Sequence, residues 1–207
     1  IATIVVMRLS MINGKTNIGN MLLAGIAINA VAGSGTGLLV YVANDEQLRS
    51  LTFWTMGSLG SANWDNVPFL AGLAFVPALI GLVMGKTLNA FLLGENEALL
   101  LGVPVEKIKY VIIVLVCLII GTCVSMTGMI GFIGLVVPHL CRMIFGPDNQ
   151  KVLLGSLILG ASILVGADLI SRTIVSPAEL PIGIVTSLVG GPFFLWLLFQ
   201  KKFLGDL

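Results

Sequence analysis

Residues able to do chemistry are few in this chain of 207 residues, and they stand far apart. The one histidine, His139, sits in VVPHLCR three positions before Arg142, where it could make a helix-end hydrogen bond or serve a proton relay. Covalent catalysis would need a nucleophile and a base within reach of each other, and no such pair stands out. Three apparent motifs fail on spacing. NGKT at 13–16 resembles the end of a phosphate-binding loop, but the glycine that must precede it falls on Leu9. GSLG at 57–60 is not the GxSG of a rhomboid-type intramembrane protease, and the HExxH of a zinc protease does not occur. Cys117, Cys123 and Cys141 lie in or beside apolar runs without CxxC spacing, so they read as packing residues rather than a disulfide or metal framework. Two polar features remain. Asp168 and Arg172 are four apart, able to pair on one helix face, although the arginine could equally meet an acidic partner. The other is the island LLGENEALLLGVPVEKIK at 92–109.

The elements that carry these groups are apolar. Hydrophobic residues make up 57% of the chain and charged residues 10%, with a mean hydropathy of +1.07. A soluble domain carries about a quarter charged residues. Apolar runs of around 20 residues match the ~30 Å hydrocarbon layer at about 1.5 Å rise per residue. The dyad alternation of a β-barrel is absent. The expected fold is therefore all-α, a polytopic transmembrane helix bundle, with spans near 19–43, 66–85, 110–130, 131–145, 152–170 and 180–199. The stretch 1–7 meets Arg8 too soon to cross and reads as the tail of a longer helix, so the chain reads as a fragment; a signal peptide would carry its charge on the other side. No linker divides residues 1–207, which read as one domain.

The segment 131–145 is short and holds Pro138, so it could cross or re-enter. Basic residues decide between the two. If it crosses, Arg8, Lys15, Lys86, Lys107, Lys109, Arg142, Lys151, Lys201 and Lys202 share one side against Arg49 and Arg172 on the other; re-entry would leave six against five. Because cytoplasmic loops are enriched in Lys and Arg, crossing is favoured, and the island and the C-terminus face the cytoplasm. Residues 44–65, with Trp54 and Trp64, read as an interfacial segment on the far side.

Small residues recur at four-residue spacing in Gly33/Gly37, Gly121/Ser125 and Ser162/Gly166, which permits close helix packing. The same mildly polar helices could instead line a path for a bulky solute. Candidates are Gly25, Asn29 and Ser34 in one span and Thr186, Ser187 and Gly190 in another. The island reads as two short helices about a turn, ENEALLL ending at Gly102 and PVEKIK opening at Pro104.

The pattern E-x-E-A-x-x-L-G at 95–102 resembles the coupling loop of ABC importer permeases. LLAGIAINA (22–30), FWTMGSLGSANW (53–64), TGMIGFIGLVVPHLCR (127–142), GADLISR (166–172) and ELPIGIVTSLVGGPFF (179–194) resemble, in order, the FecCD-type family importing ferric siderophores, haem and vitamin B12. The resemblance implies a family of about ten spans, here lacking the N-terminal third, in the cytoplasmic (inner) membrane of a prokaryote. It implies a permease paired with a second copy or a homologous permease. Two cytoplasmic ATPase subunits and a periplasmic or lipoprotein substrate-binding protein would complete the complex, with membrane lipid around it and no nucleic acid. The permease would be a transport subunit, not an enzyme, and would bind no cofactor itself; ATP and Mg would belong to the ATPase. Glu95, Glu97, Ala98, Leu101, Gly102 and Pro104 would sit in the ATPase groove, with 92–109 as coupling helices. Asn17, Ile18 and Gly19 would lie by the cytoplasmic gate, and Arg172 would dock the binding protein. The expected cargo is a ferric siderophore, with haem or cobalamin as alternatives. An ion-coupled secondary transporter is the rival class, and it would want carboxylates at mid-membrane depth.

Overall fold

A computed structural model describes residues 2–12, 15–60, 62–176 and 178–205. The side chains of Lys15, Ile18, Lys201 and Lys202 lie outside the described set, as do residues 13 and 14 of NGKT. Helix α1 (Ala2–Ser10) leads through a two-residue antiparallel pair, β1 (Met11–Ile12) and β2 (Lys15–Thr16), into α2 (Ile18–Val42). Then come α3 (Asp45–Met56), α4 (Val67–Ala90), a 3-10 turn (Phe91–Leu93) and α5 (Glu95–Leu100). The chain closes with α6 (Val105–Thr127), α7 (Ile133–Phe145), α8 (Asn149–Thr173) and α9 (Ile182–Gly205).

Each apolar run becomes a helix because hydrocarbon offers no partner for backbone N–H and C=O groups, which must be satisfied within the segment. Among the described residues, four helices are long and apolar enough to cross a membrane: Gly19–Val42, Val67–Leu93, Val105–Thr127 and Asn149–Thr173. Shorter apolar stretches cover Ile133–Phe145 and Ile182–Leu197. The expected second island helix is not separate. PVEKIK forms the opening turns of α6, which runs unbroken from Val105.

Polar locks fix which helix ends share a level. At one end the Asn89 side chain donates to Asp148 Oδ1 at 2.9 Å and accepts from the Asn149 N–H at 2.7 Å, while Asn149 Nδ2 donates to the Leu88 carbonyl at 3.0 Å. At the other the Ser58 N–H donates to the Thr127 carbonyl at 2.8 Å and the Leu180 N–H to Ser171 at 3.1 Å. Together these run α6 and α8 in the same direction and α4 against both. Between them α7 runs against α8: Gly155 lies beside Cys141 and Phe145, and Gly160 beside Val137. Thus 131–145 carries the chain across, as the basic residues indicate.

At 13 residues, α7 is only about 20 Å long at ~1.5 Å per residue. The remaining depth is covered by residues 128–132 in irregular conformation, packed beneath α3 and α9. A Cβ on Gly128 would collide with the Trp54 carbonyl, one on Gly183 with that of Met56, and one on Gly190 with Phe132. Non-helical backbone at membrane depth is tolerated where protein covers it in this way.

The tightest core is Val137, Cys141 and Val152, with Ile133, Leu159 and Ile163 packed around it. Close approach falls at Gly85, whose Cβ would lie 3.0 Å from Gln150 Cα, and at Gly155. By contrast Gly33, Gly37, Gly121 and Gly166, from the small-residue pairs, face open space within this chain. Large apolar side chains are exposed along α2, among them Leu22, Ile26, Val31 and Leu38. In lipid such exposure carries no hydrophobic penalty, since acyl tails are as apolar as leucine.

Candidate functional site

The charged end of the bundle gathers most of the polar residues singled out from sequence. Helix α5 is six residues long and bracketed by two glycines of positive φ, Gly94 (114°) and Gly102 (81°), both in backbone regions that L side chains rarely adopt. Glu95 and Glu97 occupy its first turn, where the helix dipole favours negative charge. Ala98 is fully buried, so its methyl seats α5 against the body and cannot enter a partner's groove. What projects instead is leucine. Leu92, Leu93, Leu99 and Leu101 are exposed and Leu100 is 86% exposed, an apolar patch ringed by charge. Sequence reasoning passed over most of these leucines because the same residue type fills the spans; their placement between charged groups was the available signal. Pro104 caps the start of α6 and is exposed, while Val105 and Ile108 just beyond it are buried.

Three charged side chains anchor α5 to α6. Lys109 Nζ lies 2.6 Å from Glu95 Oε2 and 3.5 Å from Glu106 Oε1. The Thr16 hydroxyl, on the hairpin before α2, donates to Glu106 Oε2 at 2.7 Å. One position on, Asn17 caps α2 by accepting from the Asn20 N–H at 3.2 Å, and its own N–H donates to the Ser10 carbonyl at 2.9 Å. Gly19 sits beside the Asn17 side chain. Thr16, Glu106 and Lys109 were not candidates from sequence, because their contacts join residues as much as 90 positions apart.

The candidate path residues separate. Asn29 and Ser34 are exposed on α2, the Ser34 hydroxyl bonded back to the Ala30 carbonyl at 2.9 Å, and Gly25 is half-buried with open space where a Cβ would be. Of the three α9 candidates only Ser187 faces an open groove, of about 630 Å³, shared with Thr55, Met56 and Met129. Thr186 and Gly190 turn the other way, into a cavity of about 360 Å³ between α7, α8 and α9 whose walls are otherwise almost wholly apolar, among them Phe132, Val137 and Ile163. Within one chain those two therefore cannot line a path shared with Ser187. Among the described residues α2 packs chiefly on α1, and α9 on α3, α7 and α8, so the two helices carrying these residues share no extended interface.

At the far end Arg172 Nε donates to Asp168 Oδ2 at 2.8 Å, forming the expected pair, yet the arginine side chain stays 44% exposed. His139 is half-buried on α7, and its side chain hydrogen-bonds to no described residue. Among the described residues no group of three or more His, Cys, Asp and Glu could hold a metal ion.

Residues 1–200 match the FecCD transport family. The chain belongs to this family. As a FecCD-family chain it is 46% identical over 189 residues to the hemin transport system permease of Yersinia pestis, covering 91% of this chain and 57% of that protein. It is 41% identical over 182 residues to the vitamin B12 import system permease of Vibrio vulnificus, covering 87% and 54% respectively. It also superimposes, with a TM-score of 0.83 and 32% identity, on an inward-facing structure assigned to the metal-chelate type of ABC transporter, over 88% of this chain and 59% of that one. The FecCD-family chain thus spans about half the length of the curated relatives it matches. Family membership and the apolar helices together make it a multi-pass membrane protein.

Proposed function

We propose that this chain forms the coupling half of a permease in an ATP-driven importer of the prokaryotic cytoplasmic membrane. The observation that carries the reading is α5: a short helix, glycine-bracketed and braced by Lys109, that presents exposed leucines at the charged end of the bundle. A contiguous apolar patch rimmed by charge fits a protein partner. A rigid knob transmits displacement where a flexible loop would absorb it.

In this reading residues 92–109 are the coupling element within a single permease domain, and the partner is a cytoplasmic ATPase that supplies ATP and Mg chemistry the permease lacks. A second permease completes the path, and a binding protein delivers cargo near Arg172. The cargo is a bulky metal chelate. The likeness to a hemin permease at 46% identity favours haem over a ferric siderophore or cobalamin. The rival, an ion-coupled transporter, needs an unpaired intramembrane carboxylate, whereas Asp168 is held by Arg172.

Replacing Leu100 by Asp tests the reading directly. It removes the most exposed apolar contact of α5 without touching the buried Ala98, so ATPase co-purification and ATP-dependent uptake of hemin should both collapse. Retained assembly and uptake would refute α5 as the docking element.

A further inference from the structure

We propose that Thr16, Glu106 and Lys109 form a polar relay that passes displacement of the docking helix α5 to the hairpin at the foot of α2. The inference rests on the importer reading above and adds a route to it. Along the chain, α5 and the hairpin are separated by α2, α3 and α4. Through space, three contacts join them. Glu95 on α5 holds the Lys109 ammonium at 2.6 Å, Lys109 reaches Glu106 at 3.5 Å, and Glu106 accepts the Thr16 hydroxyl proton at 2.7 Å.

The arrangement has the properties a relay needs. Glu106 and Lys109 sit three residues apart on the rigid first turns of α6, whose Val105 and Ile108 are buried and fix the helix in the body. The Lys109 side chain is only 17% exposed, so water screens its two contacts less than those of a free surface pair. Thr16 is followed at once by Asn17, whose backbone and side chain both bond across the turn into α2. A push on α5 therefore reaches residues 17–19 through two short charge-assisted bonds, at 2.6 and 2.7 Å, joined by the 3.5 Å ion pair on α6; charge-assisted bonds are roughly twice as strong as neutral ones. Thr16 and Glu106 act here as positioning residues and need touch neither cargo nor ATPase.

The test uses the full-length permease assembled with its ATPase and binding protein in proteoliposomes, with hemin, ferrichrome and cyanocobalamin as cargo probes. Thr16→Val removes the hydroxyl at constant size, Thr16→Ser keeps it, and Lys109→Met breaks the centre of the chain. In Thr16→Val, ATPase co-purification and ATP hydrolysis should match wild type, while cargo imported per ATP hydrolysed falls about fivefold or more, the lower range of coupling between linked sites. Thr16→Ser should restore the ratio. The Thr16→Val, Lys109→Met double variant should lose no more than the worse single, as residues acting in one chain are non-additive. A wild-type ratio in Thr16→Val, a failure of Thr16→Ser to rescue, or additive losses would each overturn the relay and leave the importer reading standing. A wild-type complex that binds no ATPase, or imports none of the three probes, would overturn both.

Discussion

Replacing Gly128 by alanine should loosen the joint between α3 and α6 at the far end of the bundle. Gly128 has φ 68° and ψ −162°, a region essentially reserved for glycine, and holding another residue there costs about 1–3 kcal/mol. The new methyl would also meet the Trp54 carbonyl, a backbone group that cannot rotate aside. Relieving that clash requires α3 and α6 to part, which stretches the 2.8 Å bond from the Ser58 N–H to Thr127, worth about 1 kcal/mol. The sum is about 2–4 kcal/mol, a large part of the ~5–15 kcal/mol that usually separates folded from unfolded states. Denaturant unfolding in detergent micelles, followed by circular dichroism, measures it. Gly121→Ala is the control, because Gly121 lies inside α6 with open space around it and alanine is the better helix former by up to about 1 kcal/mol. Gly128→Ala should be clearly destabilised while Gly121→Ala is neutral or better. Equal unfolding midpoints would refute the tight α3–α6 junction at Gly128.

Arg172→Glu should weaken capture of a loaded binding protein at least tenfold, since one attraction becomes a repulsion, while ATPase association, at the opposite membrane face, stays intact; surface plasmon resonance and pull-down separate the two. Ser187→Trp fills the open groove and should reduce uptake at unchanged ATP hydrolysis, whereas Thr186→Val, facing the apolar cavity between α7, α8 and α9, should leave uptake intact. Acid should release the lock between α4 and α8. The hydrogen bond from Asn89, then backbone N–H groups, hold the Asp148 carboxyl below the ordinary carboxylate range, so its contribution is complete above the unfolded value of about 3.9 and is lost as pH falls through the lower folded value. Thermal unfolding scanned from pH 6 down to about pH 3 should therefore fall more steeply for wild type than for Asp148→Asn; parallel curves would remove this carboxylate from the lock.

The runs of the spans and the alternation of the chain across them were legible because both follow from bulk physics. Hydrocarbon thickness sets the run of apolar residues, and the distribution of Lys and Arg selected a crossing for 131–145, which α7 makes. The continuity of α6 was not legible. PVEKIK reads as a short helix of its own because its polarity ends the apolar run, but Glu106 and Lys109 meet on one face of a helix that simply continues beyond the apolar layer. Thr186 and Ser187 show the harder limit: adjacent residues on a helix point about 100° apart, and α9, apolar on every face, holds no stripe to say which of the two meets the groove. The family resemblance placed Ala98 in the partner's groove with the rest of its motif, while only the fold reveals that small size there serves a tight seat.

Helix α2 has one further consequence. Among the described residues its lower part rests on α1 and the hairpin, and from Val31 to Val42 every position is exposed. A straight rod of 25 residues is about 37 Å long. Pivoted at Asn17, it amplifies: a tilt of about 10° at the base swings the opposite tip by about 6 Å, from that same length. A sub-ångström adjustment delivered beside the pivot would thus emerge, on the other side of the bilayer, as a shift of several ångströms.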